Sequence, residues 1–191
     1  MKRFHDSRGF FEETYTRKKF QEFDIDVEFV QDNHSFSIDA GTIRGLHFQS
    51  PPHAQAKLVR CISGAIYDVV VDIRIGSPDF GKWKGYELNA KNANQLFVPM
   101  GYAHGFITLV PNTEVLYKCT DYYFPESEGS IHWDSCGIHW PYPDKPILSE
   151  KDNIAPFFKS LESPFIYGEI SCSFLSPVAQ VLLDLLLLDW L

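Results

Sequence analysis

Apolar residues along this chain gather in short runs, and most of those runs are bounded by Gly, Pro, Asn or Asp, the punctuation of strands joined by tight turns. Eight segments read this way: Val27 to Gln31, Thr42 to Gln49, Lys57 to Ser63, Ala65 to Arg74, Gly85 to Leu88, Gln95 to Pro99, Gly105 to Leu109 and Glu114 to Thr120. Ahead of them, Tyr15 to Phe23 sets Phe20 and Phe23 among Lys18, Lys19, Gln21 and Glu22, a weak amphipathic helix. The predicted order is a charged opening, one short helix, many strands and then loops. About eight strands at this spacing predict a β-sandwich or jelly roll. No internal repeat, linker or low-complexity segment interrupts the pattern.

Within Ile66 to Arg74 a period of two puts Tyr67, Val69, Val71 and Ile73 on one face, and Asp68, Asp72 and Arg74 on the other with Ile66 and Val70. The acids read as a polar ladder that solubilises or cross-links that face, and no catalytic role is assigned to them. More pointed is Gly41-Thr42-Ile43-Arg44-Gly45-Leu46-His47-Phe48-Gln49, followed after a Pro-Pro turn by Gln55-Ala56-Lys57-Leu58-Val59-Arg60. A histidine, a lysine and two arginines lie there among Ile43, Leu46, Phe48, Leu58 and Val59. Charge placed inside a sheet is costly unless something uses it.

At 191 residues the chain is long enough for one domain with a real core. A formal net charge of −8 argues against a nucleic-acid or anionic membrane surface, while a few focused cations still suit an anionic small ligand. Cys61, Cys119, Cys136 and Cys172 show no CxxC spacing, and no signal peptide is read at the start, so a reducing cytoplasm is expected. The run Val178 to Leu191, VAQVLLDLLLLDWL, is too short for a membrane span and carries Asp184 and Asp189. A packing or oligomer-interface helix is its plainest reading.

Phe97-Val98-Pro99-Met100-Gly101-Tyr102-Ala103-His104-Gly105-Phe106 resembles the second half of the cupin signature, PxGxxH. Where the first half would place HxH, the chain has His47-Phe48-Gln49, with His53 beyond it in a Pro-rich turn. Two strand histidines without a third imidazole make a poor transition-metal site, so no metal is expected. The chemistry then falls to side chains. An imidazole serves as a base near neutral pH, a lysine steadies an oxyanion and a phenol returns a proton. That set suits proton abstraction beside a carbonyl through an enolate, an isomerisation without a cofactor.

A longer series of motifs carries a family resemblance: DSRGFFEE at Asp6 to Glu13, QDNHSFS, GTIRGLHFQ, AQAKLVRCISGAIYDVVVDIR, SPDFGKW, QLFVPMGYAHGF, EVLYKCTDYYFPESEGSI and LSEKD ending at Asp152. Together they look like dTDP-4-dehydrorhamnose 3,5-epimerase. The resemblance implies an all-β, metal-free cupin jelly roll with a few short helices, a homodimer, and inversion of carbons 3 and 5 of a dTDP-4-keto-6-deoxyhexose. Epimerisation at one carbon, a non-catalytic sugar-nucleotide-binding cupin and a metal-dependent cupin oxygenase are the competing readings. By resemblance His47 is the base, Asp152 the carboxylate that orients it, Tyr117 the acid on the opposite face, Lys57 the cation beside the enolate oxygen and His104 a polar contact near the sugar. Arg8 and Arg44 match the diphosphate arginines, Glu13, Gln31 and Asn33 nucleotide positions, Tyr123 the aromatic stacked on thymine, and Glu128 and Lys151 further ligand contacts. His34, His53, His132 and His139 read as structural or surface residues. The single epimerase domain is expected over residues 1–170, with residues 171–191 a tail outside the pattern. The chain also lacks the N-terminal strand segment that family members carry before RGFF, which bears on the placement of Arg8 and Glu13.

Overall fold

The computed structural model describes residues 3–141 and 145–169; the leucine-rich run and Cys172 lie outside the described residues. Among the described residues eleven strands form in chain order: β1 (Arg3–Asp6), β2 (Gly9–Glu12), β3 (Gln31–Ser37), β4 (Ile43–Gln49), β5 (Lys57–Ser63), β6 (Ala65–Asp72), β7 (Trp83–Asn89), β8 (Gln95–Val98), β9 (Tyr102–Thr108), β10 (Thr113–Cys119) and β11 (Glu128–Ser130). Two short helices join them, α1 (Arg17–Gln21) and α2 (Glu150–Asn153). β1 and β2 make a hairpin; a four-stranded sheet runs β3-β10-β5-β8 and a five-stranded sheet β11-β4-β9-β6-β7, all pairs antiparallel. From β3 onward the chain repeatedly crosses between the two sheets, which is the jelly-roll winding expected from the sequence.

Alternation decides what each strand buries. Val59 and Cys61 of β5, Ile66 and Val70 of β6, Phe106 of β9 and Val115 of β10 meet between the sheets. The opposite side of β6, with Val69, Val71 and the adjoining Ile73, is sealed by Ile131, Ile138 and Phe165 from the C-terminal segment. Leu58 and Phe97, on the outer side of the four-stranded sheet, are covered by Phe20 of α1 and by Ile25. Each such aliphatic side chain contributes about 1.5–3 kcal/mol on burial.

Three expectations need correction. Val27 to Gln31 is not a strand: Val27 and Phe29 pack as irregular chain against the Phe20 cluster, and the strand begins at Gln31. That strand escapes a hydrophobic search because its inward residues Gln31, Asn33 and Ser35 are polar while Phe36 is exposed. The charged opening contains the β1–β2 hairpin, and α1 is shorter than the Tyr15 to Phe23 pattern. α2 has no apolar stripe; it starts where the Ser149 hydroxyl accepts the Asp152 backbone N–H at 3.1 Å.

Candidate active site

The interior between the sheets turns from apolar to polar along the strands. On β5 the side that buries Val59 and Cys61 continues to Lys57, and on β10 the side that buries Val115 continues to Tyr117 and Cys119. Lys57 sits opposite Cys119, and Tyr117 opposite Val59, so the ammonium and the phenol are diagonal neighbours on one sheet. From the facing sheet come His47 of β4 and His104 of β9, which are direct cross-strand partners.

His47 owes its placement to a bulge. The β4–β9 register slips between Arg44 and His47, and Gly45 occupies the slip at φ +128°. A β-carbon there would lie 2.5 Å from the Gly105 α-carbon, so only glycine lets the strands approach this closely. Freed from the ladder, the Gly45 N–H helps hold the Asp152 carboxylate. Asp152 is buried, and its Oδ1 lies 2.6 Å from His47 Nε2. Burial alone would raise its pKa, but the bonds from His47, Ser149 and Gly45 outweigh that and keep the carboxyl below its ordinary value. A carboxylate that accepts from Nε2–H leaves the neutral ring with its lone pair on Nδ1, the atom available as a base.

Asp68 shows what this polar ladder does. Of the two roles expected for it, solubilising or cross-linking, Asp68 takes the second: it is wholly buried and binds His104 Nε2 on β9 at 2.7 Å, with Oδ2 lacking a hydrogen-bond partner. Its attraction also reaches Lys57. Lys57 keeps some surface open, but its ammonium is ringed by protein; this burial pulls its pKa below the ordinary lysine value against the attraction of Cys119, Asp68 and Glu128. Burial raises the Tyr117 phenol, and neighbouring Arg44 opposes that rise. The signal for Asp68 was a carboxylate on the apolar side shared by Ile66 and Val70. Asp72 is a cross-link as well: it binds Arg74 at 2.5 Å and 3.0 Å, and Arg74 also meets the Tyr102 hydroxyl at 2.6 Å.

The remaining candidates fall into two groups. Gln31, Asn33, Tyr123, Glu128, Lys151 and Arg44 border the polar interior. Gln31 accepts the Tyr123 backbone N–H at 3.0 Å, and Asn33 donates to Cys119 Sγ at 3.5 Å. The Tyr123 hydroxyl donates to Glu128 at 3.0 Å, and Glu128 pairs with Lys151 at 2.5 Å. Arg44 is anchored by Ser37 Oγ at 3.2 Å and the Phe36 carbonyl at 2.9 Å. Arg8 and Glu13 stand apart from this group; exposed Arg8 bonds Asp6 at 2.6 Å and Glu13 pairs with Lys19, all within the N-terminal segment. The sequence reading also passed over Gln49, which donates to the Tyr122 carbonyl and accepts the Phe124 N–H, bracing the loop that carries Tyr123. Among the described residues no three His, Cys, Asp or Glu side chains converge as a metal site.

Residues 1–160 match the family described as dTDP-4-dehydrorhamnose 3,5-epimerase. A protein of that description from Salmonella typhimurium is 53% identical over 156 residues, covering 80% of this chain and 85% of that one. Among solved structures, the Bacillus anthracis epimerase with TDP and PPi bound superposes with a TM-score of 0.80 at 51% identity, covering 82% of this chain and 90% of that one. A Legionella pneumophila epimerase in complex with dTDP-4-keto-L-rhamnose gives a TM-score of 0.81 at 45% identity, with coverages of 84% and 86%.

Proposed function

Because the chain belongs to the dTDP-4-dehydrorhamnose 3,5-epimerase family, we propose that the polar interior between its sheets inverts carbons 3 and 5 of a dTDP-4-keto-6-deoxyhexose through enolate intermediates. The observation that carries the residue assignment is the 2.6 Å bond between His47 and buried Asp152, in an interior that also holds Lys57 and Tyr117. His47 Nδ1 takes the proton from a carbon next to the 4-keto group. The C–H electron pair moves toward the carbonyl, leaving negative charge on its oxygen. Lys57 steadies that oxygen, and Asp152 steadies the imidazolium. The phenol of Tyr117 delivers a proton to the opposite face, and solvent restores it. His104, fixed by Asp68, contacts the sugar.

Guanidinium forks of Arg44 and Arg8 suit a diphosphate. Arg44 lies at the site, whereas Arg8 sits on the exposed hairpin; a homodimer in which that hairpin meets the neighbouring subunit's site accommodates Arg8 and Glu13. Gln31, Asn33, Tyr123, Glu128 and Lys151 form the nucleotide-facing rim. Residues 1–170 act as one epimerase domain in this reading, and the work is done in the cytoplasm; among the described residues no helix is long and apolar enough to cross a membrane.

Proton NMR of dTDP-4-keto-6-deoxyglucose with the enzyme in deuterated water tests the proposal. Deuterium should enter carbons 3 and 5, and His47→Asn should slow that entry by about two to four orders of magnitude. Near wild-type exchange in the folded variant removes His47 from its role, and exchange at a single carbon makes the protein a mono-epimerase.

A further inference from the structure

Asp152 reaches the site on a helix of one turn, and so short a helix has almost no stability of its own. Something must hold it against the sheet. Besides the dyad bond itself, the Lys151–Glu128 pair joins α2 to β11. Glu128 is placed for more than that. In the β4–β11 register Ser130 faces His47 and Glu128 faces Gln49, so Glu128 lies on the same side of the sheet as His47, one diagonal step away. Its other oxygen accepts from the Tyr123 hydroxyl, which fixes the carboxylate between the two partners.

We propose that the Glu128–Lys151 pair is a positioning device for the dyad, holding α2 so that Asp152 meets His47 while cancelling its own charge beside the base. The inference rests on the reading of His47 as the base. Among the described residues, the charged or titratable groups around the imidazole are Asp152 and Lys151 from α2, Glu128 from β11, His104 from β9 and, across the interior, Lys57 from β5 and Tyr117 from β10. Glu128 also interacts electrostatically with both His47 and Lys57. With the pair intact, Glu128 and Lys151 offset each other near His47. With one member gone, the other acts alone.

Opposite charge deletions should therefore shift the enzyme in opposite directions. In Glu128→Gln the Lys151 cation stands uncompensated, the imidazolium is disfavoured, and the rise of kcat/KM with pH should move to lower pH. In Lys151→Met the Glu128 carboxylate stands alone, the imidazolium is favoured, and the rise should move to higher pH. A displacement of about half a pH unit each way is expected for partly solvated charges one diagonal step from the imidazole. The double variant should return the rise to its wild-type position while kcat stays several-fold low, because the hold on α2 is lost. Glu128→Asp, which keeps the charge, should leave the rise in place.

The experiment is the pH profile of kcat/KM, followed by NMR exchange on the nucleotide sugar, for wild type and these four variants, with circular dichroism to verify folding. Shifts in the same direction, no shift in either single variant, or an unchanged kcat in the double variant each overturn the proposal. His47→Asn run alongside keeps the two readings separate: its retained activity refutes the base assignment, whereas unshifted Glu128 and Lys151 variants with inactive His47→Asn refute only the positioning role.

Discussion

Lys57→Met should separate activity from stability. Methionine nearly matches the aliphatic stem of lysine and deletes the ammonium. That ammonium is held where burial works against its charge, so its removal relieves a cost. Holding an ion in such a place costs several kcal/mol, part of which the nearby charges already offset. Against this stands Asp68, whose Oδ2 has no hydrogen-bond partner and would lose a nearby cation, at a cost of about 1–3 kcal/mol. The two effects nearly cancel, leaving the variant within about 1 kcal/mol of wild type. Adding Asp68→Asn keeps an acceptor for His104 and removes the stranded charge, so the double variant should be more stable than Lys57→Met alone. Activity has no such compensation: loss of an oxyanion donor costs about two to three orders of magnitude in kcat. Because the folded Lys57 pKa lies below its unfolded value of about 10.4, wild type should gain stability as pH rises from the folded toward the unfolded value, and Lys57→Met should lack that gain. Urea unfolding and NMR exchange, performed on the same preparations, supply both measurements. If kcat stays within tenfold of wild type, Lys57 is not the group on the enolate oxygen; if the double variant is the least stable of the set, the Lys57–Asp68 attraction outweighs its desolvation and the argument fails.

Tyr117→Phe should lose most inverted product while deuterium still enters from the His47 side, since burial keeps the phenol protonated and thus competent as an acid through neutral pH; inversion at the wild-type rate would give its role to water or another side chain. Asp152 has a folded pKa below its ordinary value, so its stabilising contribution is present above about pH 4 and lost as pH falls through the folded value. Acid unfolding of Asp152→Asn should accordingly show a shallower loss than wild type, and equal slopes would contradict the bond network around that carboxylate. Gly45→Ala should be poorly folded or destabilised by at least about 1–3 kcal/mol in thermal unfolding, given its φ of +128° and the 2.5 Å approach to Gly105; a neutral result would mean β4 and β9 separate freely.

The strands of this fold were legible wherever one side was apolar. Lys57–Ser63 was read to the residue, and β4, β6, β8 and β10 to within a residue or two at each end, because each is a short apolar-rich run closed off by polar or turn residues. β3 was misplaced for the converse reason: its inward side lines the polar interior, so its buried residues are the ones a hydrophobic pattern ignores. Residue types suggested a base, a cation and a phenolic acid, and the family resemblance put these at His47, Lys57 and Tyr117 with Asp152 as the orienter; the partners that Asp68 and Asp152 find do not follow from local pattern. Each is defined by a partner from another strand or helix, 36 residues away for Asp68 and His104 and 105 for Asp152 and His47.

That last separation sets the order in which the enzyme comes to exist. A ribosome releases the β4 histidine about a hundred residues before its carboxylate partner, so the interior stays incomplete until α2 has been made. Pairings such as β3 with β10 and β4 with β9 also join distant parts of the chain, and topologies dominated by distant contacts fold slowly because the entropy of closing large loops is lost before the contacts form. α2, bringing no apolar stripe of its own, docks only on a finished β4 and β11. Catalytic competence is thus the final event of folding, and recovery of epimerase activity after dilution from urea should lag the return of β-sheet circular dichroism.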